Sequence, residues 1–223
     1  PSKISHMYNG VIVDDYKNKN KKIDFKEKQG ISDKILVTYA GILSLYQGID
    51  TILDTAKQMT SVDDVIFYIV GDGSEKDHIQ ERINNEDLSN VKLLPFQDRD
   101  EYFNIIQSSD ISLVTLDKRM KAPCLPGKIK DLFEFEKPII ASVSKETETA
   151  DFINYAEAGI VVEPGNNNEL YNQVVTLKNN VELQKKLGKQ GKLFLSEKMN
   201  LEKNVEKYEE IFTKILYQER QSK

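Results

Sequence analysis

Six short apolar runs, at residues 35–40, 65–70, 91–94, 111–116, 139–143 and 160–162, alternate with segments of helical spacing. Most of the runs are continuous and rich in Val and Ile rather than alternating in and out. Strands covered on both faces read this way, as in a parallel sheet flanked by helices. Between them, Ile49, Ile52, Leu53, Ala56 and Met59 share one helical face, and Ile129, Leu132 and Phe133 share another after Gly127. Ser74 with Asp77, and Asp98 with Glu101, match the capping-box spacing that opens a helix. The order β-α-β-α predicts a doubly wound α/β domain with right-handed crossovers.

Beyond residue 165 the strand pattern stops. Leu170, Val174 and Leu177 predict one helix, and Leu183, Leu187 and Phe194 a second. Leu201, Val205, Tyr208, Phe212 and Ile215 predict a last, strongly amphipathic one. At the other end a short strand is expected at 3–8, and residues 14–34 read as a polar, lysine-rich, mobile connector. The organisation is therefore a single domain: linker strand and loop at 1–34, a Rossmann-like core at 35–165, and C-terminal helices at 166–223.

Composition narrows the function classes. With 31 basic and 36 acidic residues the formal charge is −5, which argues against general nucleic-acid binding but allows a local basic site for a phosphorylated small molecule. The single cysteine, Cys124, excludes an internal disulfide and points to a reducing, cytoplasmic setting. No run approaches the ~20 apolar residues that span a bilayer, and no signal peptide is legible. The sequence starts at Pro1 and reads as part of something longer.

In open α/β sheets ligands bind outside the carboxyl ends of the strands. The first strand ends at Gly41, and Gly41 and Gly48 bracket a helix entry, where backbone N–H groups can approach a phosphate; a plain strand-to-helix turn explains the same pattern. The second ends in Gly71-Asp72-Gly73-Ser74, a capped tight turn rather than a dinucleotide fingerprint, because Lys76 stands where a third glycine is required. Asp72 there is placed to touch a ligand at the sheet edge. The fourth gives way to a long Lys/Pro/Gly loop ending at Gly127. Lys128 then opens a helix at the end that prefers anions, a conflict that a bound phosphate would relieve. Asp131, one turn on, can accept two ribose hydroxyls or simply complement the helix dipole. His6 and His78 are isolated, no metal-ligand spacing is present, and Lys185, Lys186, Lys189 and Lys192 read as a solvated helix face.

These segments fall into a familiar order. Tyr8-Asn9-Gly10-Val11, Tyr39-Ala40-Gly41, Gln47-Gly48, Ile69-Val70-Gly71-Asp72-Gly73, and Asn90 to Phe96 come first. Ser109 to Val114, Pro126-Gly127-Lys128, Lys137 to Ser142, Glu157-Ala158-Gly159 and Glu163-Pro164-Gly165 follow. Over nearly its whole length the chain resembles the C-terminal, donor-binding half of family-4 retaining glycosyltransferases of the GT-B fold, bacterial capsule and O-antigen type. The resemblance implies that Gly41 gives its backbone to the diphosphate of a UDP-sugar, with Gln47 and Gly71 beside it. Phe96 and Gln97 would frame the base, Pro126-Gly127-Lys128 would sit by the phosphates, and Asp131 would hold the ribose. It implies retention, no cofactor or metal, a UDP-sugar as donor, and an acceptor glycan or lipid-linked sugar. The acceptor-binding half is absent from the chain, and any membrane contact would come through that half.

The sequence departs from this family at several places. Many relatives carry Arg and Lys where Ile42 and Gln47 stand, Pro123 replaces the first glutamate of the family's E-x7-E pair, and Phe135-Glu136 replaces small residues. No residue is identifiable as a catalytic base. Two other readings share the fold: half of a UDP-sugar 2-epimerase, and a non-catalytic nucleotide-sugar-binding domain.

Overall fold

Each apolar run becomes a strand because burial on both faces rewards a continuous β-branched stretch. The computed structural model of the chain describes residues 7–12, 24–120 and 125–221. The strands are β1 (Ile35–Ala40), β2 (Val65–Val70), β3 (Val91–Leu94), β4 (Ile111–Thr115), β5 (Ile139–Ser142) and β6 (Gly159–Val162). They form one six-stranded sheet in the order β3-β2-β1-β4-β5-β6, with every pairing parallel. This is the expected doubly wound, Rossmann-like arrangement. The direction of winding reverses between β1 and β4.

Alternation within the strands feeds two separate cores. Val37, Tyr39, Phe67 and Ile69 face one cluster, completed by α2 (Ile49–Gln58), α3 (Lys76–Asn85) and α7 (Asn167–Lys178). Leu36, Ala40, Ile66, Tyr68 and Val70 face the other. That second layer is built from α4 (Arg99–Ser108), α5 (Ile129–Glu134), α6 (Glu148–Tyr155) and α8 (Val181–Lys198). Glycines let α8 lie close to α5: a Cβ on Gly191 would come within 2.6 Å of the Phe133 ring, and one on Gly188 within 2.0 Å of Glu136 O. Lys192 is therefore no solvated lysine; its ammonium donates to the carboxylate and carbonyl of the buried Glu134. Lys185, Lys186 and Lys189 are exposed as expected.

The segment at Val11 is tied to the start of the last helix. Val11 N–H donates to Met199 O, and Leu201 N–H donates to Val11 O, at the start of α9 (Leu201–Gln221). Tyr8 packs its ring against Phe152 and Phe194. α9 forms as its periodicity requires, but Leu201, Val205, Tyr208, Phe212 and Ile215 are left largely exposed.

Three expectations need correction or fall away. The connector expected at 14–34 contains a short helix, α1 (Phe25–Gln29), capped by the Asp24 side chain and closed by Gly30 in the left-handed region at φ 66°. Phe25 is its anchor, buried edge-on against Tyr68, a single apolar residue too isolated to give a periodic signal. Ser74 does not cap α3, which starts at Lys76 with no side-chain cap, because Glu75 N–H is drawn to Leu43 O. The strand expected at 3–8 lies outside the described residues except for 7 and 8, which have no regular structure. Cys124, His6 and Pro123 lie outside them as well.

Candidate functional site

A cavity of about 480 Å³ opens at the carboxyl ends of β1, β2 and β3, beside the reversal between β1 and β4. Its size lies within the roughly 300–1,000 Å³ usual for small-molecule sites. Gly41, Gln47, Gly71, Phe96, Gln97, Pro126, Gly127, Lys128 and Asp131 all line it. Of the candidates named from sequence, Asp72 alone is not on its wall. Its carboxylate accepts from Gly73 N–H and from the Lys76 ammonium, at the exposed outer side of the turn.

The glycines after β1 and β2 serve close approach of two backbones. Gly71 has φ +155°, and a Cβ there would lie 1.8 Å from Gly41 O. Gly73 has the same constraint against Leu43 O, at 2.2 Å. Leu43 N–H then donates to Asp72 O, so the two loops are laced together under the cavity. Gly41 N–H donates to Val70 O, so what Gly41 gives the cavity is its missing side chain rather than a free amide; a Cβ would sit 3.6 Å from Lys128 Nζ. Between Gly41 and Gly48 the chain makes a 3-10 turn (Leu45–Gln47), and Gly48 enters α2 in the left-handed region at φ 63°.

Lys128 ends the loop after β4, with helical backbone but no side-chain cap. The side chain as a whole is half-buried, yet its Nζ is sealed from solvent and has no hydrogen-bond partner among the described residues. It lies 3.7 Å from the centroid of the Tyr39 ring. Burial pulls its ammonium down to about 7, because the charged form loses its hydration. Burial likewise pushes the Tyr39 phenol up. Its hydroxyl is engaged with Ile42 O at 2.9 Å and Gln47 Oε1 at 3.1 Å. The Lys128 ammonium is thus desolvated beside the cavity, and its charged form lacks a compensating partner among the described residues.

Asp131 stands one turn into α5, and the Tyr102 hydroxyl donates to its Oδ2 at 3.0 Å. Phe96 projects at the rim with 79% of its surface exposed, an open aromatic face on the cavity wall. Gln97 turns its amide back to Pro95 O. Arg99 and Tyr102, which the sequence reading did not single out, also line the cavity. They lie in the first turn of α4, whose start is fixed by Asp98 accepting from Glu101 N–H at 2.8 Å. The expected Asp98 cap, at the carboxyl end of β3, was the available pointer to both. Lys137, by contrast, is structural: its ammonium donates to Gln107 O and Ser109 O at the end of α4. Among the described residues, no group of three or more His, Cys, Asp or Glu could hold a metal ion, and no helix is long and apolar enough to cross a membrane.

The sheet order and the cleft at its reversal define a Rossmann-like α/β domain. The chain belongs to the group 1 glycosyl transferases, whose family profile matches residues 20–194. It is 26% identical over 200 residues to an uncharacterized glycosyltransferase of Methanocaldococcus jannaschii, an alignment covering 89% of this chain and 50% of that protein. Its fold matches Anabaena HepE solved with UDP, at a TM-score of 0.77 and 20% identity over 93% of this chain and 57% of that one. The HepE complex with UDP-glucose gives 0.74 at the same identity, over 95% and 57%. The chain thus spans about half the length of the relatives it matches.

Proposed function

We propose that this chain is the donor-binding half of a retaining glycosyltransferase. It would move a hexosyl or N-acetylhexosaminyl group from a UDP-sugar to a cell-surface polysaccharide or lipid-linked acceptor. The observation that carries the reading is Lys128 on the wall of a nucleotide-sized cavity at the sheet reversal, its ammonium without a hydrogen-bond partner among the described residues. A diphosphate is the anion this geometry suits. In transfer the departing nucleoside diphosphate gathers negative charge, and a preorganised cation beside it stabilises it there. Asp131 would accept hydroxyls of the ribose, and the loop at Phe96 and Gln97 would frame the base. The charge is met by protein cations rather than a metal, in a cytoplasmic setting.

The acceptor would be held by a second, N-terminal half. The exposed apolar stripe of α9 supports this, since such patches on soluble domains mark interaction surfaces. Holding the acceptor hydroxyl against the anomeric carbon contributes up to ~7–11 kcal/mol of barrier lowering. The chain alone is therefore expected to bind uridine nucleotides and transfer nothing. Titration calorimetry with UDP, ADP and GDP tests the first part. Assays with radiolabelled UDP-N-acetylhexosamines and lipid-linked acceptors, with and without the other half and with EDTA, test the second. Failure to bind any uridine nucleotide, or transfer by the isolated chain, would overturn the reading.

A further inference from the structure

We propose that Arg99 is a second diphosphate-binding residue of this site, contributed by the first turn of α4. The inference rests on the donor reading above and extends it to a residue outside the Gly41–Gly48 turn and the Lys128 loop. A diphosphate esterified at both ends carries two negative charges. The turn from Gly41 to Gly48 offers no cation to meet them, since Ile42 and Gln47 are its cavity-lining side chains. Among the described residues lining the cavity, Lys128 and Arg99 are the cations.

The two occupy parallel positions. Each begins a helix, Lys128 immediately before α5 and Arg99 as the first residue of α4, where the dipole disfavours positive charge. Each also lies over an aromatic ring: Lys128 Nζ is 3.7 Å from the Tyr39 centroid, and Arg99 Cζ is 5.3 Å from that of Phe103. A ring face orients a cation through its quadrupole while leaving the charge in place. Both cations stand on the wall of the same cavity, where one anionic ligand would meet them together. Arg99 also borders an adjoining cavity of about 470 Å³ that includes Lys130, so it stands where the two cavities meet. The planar fork of a guanidinium suits two phosphate oxygens at once, which an ammonium cannot match.

The test compares UDP, UMP and uridine on the intact protein by calorimetry, with Arg99→Gln and Arg99→Lys. Arg99→Gln should lose roughly tenfold in UDP affinity, the scale of one charge-assisted hydrogen bond. It should lose less for UMP and nothing for uridine. Arg99→Lys should recover part of the loss, and the dependence of UDP affinity on salt should become shallower in Arg99→Gln. Any stability lost with the Phe103 contact would weaken all three ligands alike, so it is distinguishable from a diphosphate-specific loss. Equal UDP affinity in Arg99→Gln, or an equal loss for UDP and uridine, would overturn the role. A parent protein that binds no UDP would instead overturn the donor reading beneath it.

Discussion

Lys128 Nζ sits 3.7 Å from the centre of the Tyr39 ring, with no solvent contact and no hydrogen-bond partner among the described residues. Tyr39 reaches this place from the end of β1 and Lys128 from the start of α5. The ring attracts the ammonium, but it does not replace a full hydration shell. The charge state of one lysine thereby becomes a property of the whole site.

Stability should therefore rise with pH in the alkaline range. The Lys128 ammonium titrates at about 7 in the fold, against 10.5 for the ordinary side chain. Between those values the unfolded chain binds more protons, so raising pH favours the folded state. Below about 7 both states hold the proton and this dependence ends. Lys128→Met should flatten the slope, leaving the smaller contribution of the half-buried Lys137, and stabilise the empty protein at pH 7 by on the order of a few kcal/mol. Denaturant titrations at pH 7 and 9.5 check this, and an unchanged slope in the variant would exclude Lys128 as its source.

Donor binding should draw in a proton. UDP-glucose has no phosphate that titrates near neutrality, so proton uptake would report Lys128 becoming charged against the diphosphate. Its affinity should be level below pH 7 and weaken by up to about tenfold per unit above it. Calorimetry in two buffers of different ionisation enthalpy at pH 8.5 should show uptake approaching one proton. Lys128→Ala should abolish that uptake and cost UDP binding roughly 1–3 kcal/mol.

Asp131→Ala should weaken UDP while leaving the melting temperature nearly unchanged. The first-turn dipole contribution is under ~1 kcal/mol, and the lost Tyr102 hydrogen bond lies on the cavity wall where water can replace it. The loss should be smaller for 2′-deoxy-UDP, which offers one hydroxyl fewer. A collapse in stability with unaltered binding would make Asp131 structural.

Gly71 and Gly127 both line the cavity but should respond oppositely to alanine. At Gly71 the new methyl would meet Gly41 O at 1.8 Å with φ at +155°, so Gly71→Ala should cost more than ~3 kcal/mol or prevent folding. At Gly127 an added Cβ meets nothing among the described residues within 4 Å, and stability should hold within ~1 kcal/mol of the parent. Parallel melting curves of the two variants decide the matter.

The architecture was legible in the sequence because it follows from a local property. A run such as Val65 to Val70 is apolar at every position, and only a strand covered on both faces rewards that. The positions of Gly41, Lys128 and Asp131 at strand ends and helix starts were equally local, so a shared edge of the sheet could be inferred. α1 escaped because its single buried anchor, Phe25, has no periodic companion. Arg99 and Tyr102 escaped because nothing in their own segment distinguishes them from an ordinary capped first turn.

Tertiary structure decided what these residues became. Lys128 alone reads as a lysine at a helix start; its ammonium is desolvated, without a partner among the described residues, because β1 delivers Tyr39 and Gly41 against it. Gly71 reads as turn chemistry, but its requirement comes from the Gly41 carbonyl passing beside it. Asp72 reads as a ligand contact, and the fold turns it outward to Lys76. Periodicity records which way a side chain faces relative to its own backbone. Burial, charge state and clearance depend on atoms that other elements bring to the same place, and those are settled only when the sheet closes its order.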